Sequence, residues 1–168
     1  MTGQTAVPEE GLCHLEDLHC DPFELGLLPV SRHFLTGASA TEPLKWQRGY
    51  SVAVDQWGES VGFPAAHLLL SVLEAANTAR DGMFRFQDPR NPQADHTATE
   101  DEALLIRMLH HMRRDQTPQA RRCVEFLTAG QMNVDLVRTG LSFARRFQAG
   151  APVGHFKRVR RPMLQVVS

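Results

Sequence analysis

Cysteine is too scarce here to frame the fold. Cys13, Cys20 and Cys123 are the only three in 168 residues, an odd number where a disulfide-built secreted domain carries a dense, even set. The expected setting is therefore a reducing one, the cytoplasm. Long apolar runs are also missing. The greasiest stretch, Phe63 to Ala76, is broken by Pro64, His67, Ser71 and Glu74, so no membrane span is expected. Met1 to Glu10 carries neither a basic residue nor an apolar run, and no secretory signal is expected there. The 12 glycines and 10 prolines follow no G-X-Y period, which excludes a collagen-like chain. Neither G-x-x-x-x-G-K-[ST] nor G-x-G-x-x-G occurs, so no phosphate-cradling loop is seen and no cofactor is expected. Acidic residues stop altogether after Asp135.

What is present fits one globular domain: 42% of residues are apolar and 22% charged. The net charge of −1 conceals a division. Positions 1–103 hold 6 basic and 16 acidic residues, a net of −10; positions 104–168 hold 12 basic and 3 acidic, a net of +9. Arginine outnumbers lysine 16 to 2. The guanidinium fork suits carboxylate and phosphate, so an arginine-rich face is a better recognition surface than a lysine-rich one. Either the two parts neutralise each other within one fold, or the arginines are displayed to an anionic partner.

The apolar spacing predicts helices. Asp21-Pro22-Phe23-Glu24 has the form of a capping box, with Pro at the first helical position. That helix is expected to break at Pro29, resume from Val30 to Leu35 and stop at Gly37. Trp46, Tyr50, Ala53, Val54, Trp57 and Val61 share a helical face, expected to end at Gly58 and Gly62. Pro64 then opens an almost wholly apolar helix to about Arg80, the central one. Residues 83–97 read as an extended loop. Thr99-Glu100-Asp101-Glu102 is a second capping box, Thr117-Pro118 starts the next helix, and Asn133 caps a last one running towards Gly150. The expected fold is an all-α, single-domain bundle of five to six helices over residues 11–150. A disordered lead (1–10) and a basic flexible tail (151–168) would flank it. Leu69, Leu73, Leu105, Leu109, Val124 and Leu141 are expected in the core.

Several motifs carry possible chemistry. Gly58-Glu59-Ser60-Val61-Gly62 matches the G-x-S-x-G elbow of hydrolases, but that elbow needs a strand leading into the serine, and the preceding segment reads helical. Cys13, His14, His19 and Cys20 are the candidate metal ligands, in a C-H-x₄-H-C pattern. Adjacent Cys-His side chains diverge, and the single Glu16-x-x-His19 half-motif has no second copy, so no metal is expected. His110-His111 shows no carboxylate partner nearby in sequence. The segment around Ala129-Gly130 reads as an αα-hairpin and not as a helix-turn-helix, because the second helix opens on Asn133-Val134-Asp135 with an acid where base-reading groups belong.

The best reading is a non-enzymatic helical adaptor or regulatory interaction protein. Its candidate partner- or anion-binding residues are Arg138, Arg145, Arg146, Lys157, Arg158, Arg160 and Arg161. An acidic protein surface is the preferred partner. A nucleic acid bound through its phosphates is the alternative, and a small metal-binding protein or hydrolase comes third.

Overall fold

In the computed structural model, residues 11–38 and 46–152 are described. The lead and all but the first two residues of the basic tail lie outside them. Six α-helices account for most of this structure: α1 (Pro22–Ala38), α2 (Gln47–Trp57), α3 (Glu59–Thr78), α4 (Glu100–Met112), α5 (Thr117–Leu127) and α6 (Val134–Arg146). Two short strands, β1 (Leu12–His14) and β2 (Thr97–Thr99), pair antiparallel with Cys13 opposite Ala98. At three residues each they are too short to leave a periodic signal. The chain is an all-α domain, and among its described residues no helix is long and apolar enough to cross a membrane.

The capping boxes form as expected. The Asp21 carboxylate accepts from the Glu24 amide (2.9 Å) while Glu24 accepts from the Asp21 amide (2.8 Å). Thr99 and Glu102 do the same at α4, at 3.2 and 2.9 Å, and Asn133 accepts from the Leu136 amide at α6. The prolines behave differently from expectation. Pro29 does not interrupt α1, and Pro64 does not open α3 but lies inside it. An interior proline costs about 3 kcal/mol through its missing amide and ring clash. Burying one large apolar side chain returns about 1.5–3 kcal/mol, and Leu27, Leu28, Val30 and Phe34 are all buried around Pro29. Packing wins.

Gly58 alone divides α2 from α3, with φ +76°. Gly62, expected at a helix end, lies within α3 against α2. A Cβ there would stand 2.6 Å from the Ala53 carbonyl oxygen. The core collects α3 with α1, α4 and α6: Leu69, Leu73, Leu105, Leu109 and Val124 are buried as the spacing predicts. Leu141 is not; it is 48% exposed. Instead α6 buries Leu136, Gly140, Phe143 and Ala144, with Phe147 buried just after its end. It does so because Gly140 lets the helix settle onto Met112, whose sulfur would lie 2.6 Å from a Cβ at that position. Accordingly α6 packs chiefly on α3 and α4 and not on α5.

Buried polar side chains fasten the loop before α4. Arg32 of α1 donates to Glu102 through Nε (2.7 Å) and Nη2 (3.1 Å), and to the carbonyls of Ala94 (2.5 Å) and Thr97 (2.8 Å). Gln87 donates to Thr97, and the Arg85 amide donates to Asp101 at 2.7 Å. Residues 83–91 are thus an extended but firmly bonded loop, and the expected loop ends earlier than 97, in a single 3-10 turn at Pro92–Asp95 that leads into β2.

Candidate interaction surface

Two features stand out: a buried ionic cluster joining three helix ends, and an open apolar trough beside α6.

The cluster grows from two helix termini. The first turn of α1 carries Asp21 and Glu24, where a helix dipole favours acids; the last turn of α4 and the turn after it carry His110, Arg113 and Arg114, where it favours bases. Spaced i, i+3 and i+4, those three bases leave one helical face together. Glu24 is fully buried, and each of its oxygens accepts twice. Oε1 accepts from Arg113 and from Arg114 (2.5 Å); Oε2 accepts from the Asp21 amide (2.8 Å) and from His110 Nδ1 (2.9 Å). Arg113 also donates to Asp21 (2.8 Å) and, through Nε, to the Phe147 carbonyl at the end of α6 (2.5 Å), and its guanidinium lies 4.9 Å from the centre of the Phe23 ring. Burial alone would raise the Asp21 and Glu24 carboxyls. Hydrogen bonds from the arginines, His110 and backbone amides outweigh it and hold both below the ordinary range. His110 therefore has the carboxylate partner that the sequence did not show, 86 residues away.

Cys20 lies beside this cluster. One donor atom each of Cys20, Glu24 and His110 falls within 4.8 Å of the other two, a spacing a metal ion could bridge. Their chemistry opposes it. A carboxylate offers about four acceptor positions, and all four on Glu24 are taken. Burial and the neighbouring Glu24 and Asp21 charges push the Cys20 thiol up to about 12, away from the thiolate a metal needs. The cluster is an electrostatic clasp. The candidate set Cys13, His14, His19 and Cys20 is not assembled either: the Cys13 thiol donates to the Ala98 carbonyl, His14 is exposed at the end of β1, and His19 donates through Nδ1 to the Asp17 carbonyl. Ser60 is exposed in the first turn of α3, preceded by a helix and not by a strand, so the hydrolase elbow is not formed.

The trough lies along the outer side of α6. About 490 Å³ in volume, it is lined by Met132, Val134, Val137, Arg138, Leu141 and Arg145 among others. A second hollow of about 530 Å³ continues from it through Leu141 and Arg145 to Arg114, Asp115 and Gln148, beside the clasp. Val134 is 78% exposed, Leu141 48% and Met132 45%. Val134, Val137 and Leu141 lie at i, i+3 and i+7; Val137 is half-buried against the core, so the apolar surface of α6 runs from its buried face out to exposed Val134 and Leu141. Arg138 and Arg145 follow the stripe on one flank. Arg138 pairs with Asp135 at 2.8 Å, with both side chains well exposed. Arg145 has no acid partner among the described residues, and Arg146 stacks over the Phe147 ring at 5.3 Å.

Of the expected partner-binding residues, the structure brings Arg138 and Arg145 into one trough, while Arg146 is exposed outside its lining. Lys157, Arg158, Arg160 and Arg161 lie outside the described residues. The division of charge resolves both ways. Arg113 and Arg114 are neutralised by Asp21 and Glu24 from the acidic part, whereas the α6 arginines face solvent. The helical spacing that assigns Leu141 to the core hides the apolar half of the trough. The adjacent Val134-Val137-Leu141 spacing was the available signal.

A second patch joins exposed Trp46 and Phe63 through half-buried Tyr50, whose ring centre is 5.8 and 6.3 Å from theirs. Exposed Arg48, Glu59 and Glu74 on the same two helices bring charge of both signs, so it favours no partner charge. Compared with family models, curated proteins and solved structures, the chain matches none of them.

Proposed function

We propose that this chain is a helical interaction module that meets a partner protein through the outer face of α6. The observation that carries the reading is the Val134-Val137-Leu141 stripe, exposed at Val134 and Leu141 and half-buried at Val137, beside Arg138 and Arg145. Single exposed apolar residues are ordinary, but a contiguous stripe set in a hollow is the usual mark of a docking site. The clasp supports the same reading. Arg113 ties the end of α6 to α1 and α4, so the stripe is presented on a rigid frame. Preorganisation of this kind lowers the ordering cost of association.

Nucleic acid is the second reading, favoured by the arginines alone. Phosphate-backbone binding needs cations and makes no use of an apolar stripe. The apolar lining favours protein. The test is a photo-crosslinking residue placed in living cells at position 141 and, as a control, at Asp55 on α2. A discrete protein adduct from position 141 alone is expected. Adducts of equal yield from both positions, or none from 141, would contradict the proposal.

A further inference from the structure

Resting on that reading of α6, we infer that the partner segment is an amphipathic α-helix bearing carboxylates about two turns apart on one flank. The argument starts from the spacing. Val134, Val137 and Leu141 repeat at i, i+3 and i+7, the pattern by which one helix receives another lying along it. α6 spans Val134–Arg146, 13 residues, which at about 1.5 Å per residue gives a length of about 20 Å. A partner helix of about four turns covers it. Arg138 and Arg145 are seven residues apart, so they stand two turns apart on the same flank of the stripe. A parallel or antiparallel partner helix meets both only with acids at the same seven-residue interval.

Charge complementarity decides among the occupants. A second copy of this chain, docked α6 to α6, would bring Arg138 and Arg145 of each copy against the same residues of the other. Asp135 is one acid against two arginines on each copy, so it offsets only part of this repulsion. Like charges so placed reject the self-pair. An acidic helix gains what the self-pair loses, because Arg145 has no acid among the described residues to give up. The adjoining hollow, which Asp115 also lines, adds no free base of its own beyond Arg145. Its basic groups Arg113 and Arg114 are saturated by Asp21 and Glu24, so the attraction concentrates at Arg138 and Arg145.

The test uses the full chain and fluorescein-labelled peptides. One peptide is a two-heptad amphipathic helix with leucines on its apolar stripe and glutamates seven residues apart on the flank. A second has lysines in place of those glutamates, and the third probe is a labelled DNA duplex of similar length. Fluorescence anisotropy should show the glutamate peptide binding about tenfold more tightly than the lysine peptide at low salt, with the difference shrinking as salt screens it. In the double variant R138E/R145E the preference should reverse. Leu141→Asp should weaken the glutamate peptide at least tenfold with its melting temperature kept, because Leu141 is half exposed and outside the core. Equal binding of the two peptides, both weakened by Leu141→Asp, would overturn the acidic-partner inference and leave the docking surface standing. Glutamate-peptide binding untouched by Leu141→Asp would overturn the docking surface itself. Binding of neither peptide, self-association through α6, or tighter binding of the duplex would each overturn the inference.

Discussion

At the scale of single residues, the most consequential side chain is Glu24. It is an element of a capping box and also the acceptor for two arginines and a histidine from 86 to 90 residues away. The sequence shows the first role, because a cap depends on neighbours three positions apart. It hides the second, because no local pattern says which acid a distant base will meet. Glu24→Gln leaves Arg113 buried with only Asp21 to balance it, and should cost about 3 kcal/mol in urea unfolding at neutral pH. The sign of the pH dependence follows from the depressed carboxyls. Asp21 and Glu24, ordinarily near 3.8 and 4.5, are held lower in the folded chain. Their contribution is complete above their unfolded values and is lost as pH falls below about 4.5 and through the folded ones. Unfolding midpoints measured from about pH 6 to pH 3 should drop steeply in the parent and less steeply in Glu24→Gln.

At the scale of the elements, the starts of α1, α4, α5 and α6 were legible, and the boundary between α2 and α3 was not. The caps at Asp21, Thr99 and Asn133 could be read because each satisfies orphan amides with a side chain of fixed spacing. Pro29 and Pro64 misled because a local rule was applied where burial across the whole helix outweighs it. Gly62 and Gly140 misled because a glycine's contribution is the space it leaves, and a residue with no side chain adds nothing to an apolar count. Counting Gly140 as a contact position turns the inner face of α6 from Leu141 to Phe143. The two glycines should respond differently to alanine. At Gly62 the new methyl meets the α2 backbone at Ala53, which cannot yield, so Gly62→Ala should destabilise. At Gly140 it meets the Met112 thioether, which can swing away, and alanine's better helix propensity offsets part of the cost. Thermal melts should rank Gly62→Ala well below Gly140→Ala; the reverse order would contradict the packing described. Leu73→Ala in α3 should cost about 2–5 kcal/mol, since Leu73 is buried in the central core.

At the scale of the whole molecule, the division of charge is partly internal and partly outward. Arg113 and Arg114 close the clasp, and the arginines of α6 remain on the surface beside an apolar stripe. The sequence showed that arginines gather late in the chain. It could not show which were spent, since that depends on the docking of α4 against α1. The central claim is that the outer face of α6 is where the molecule meets its partner. Amide chemical shifts of the labelled protein, followed while the glutamate-bearing helix is added, test it most directly. The account predicts shifts concentrated from Met132 to Arg145 and around Asp115 and Gln148, with α2 and the Trp46-Tyr50-Phe63 patch unmoved. Shifts centred on that patch, or none along α6, would contradict it.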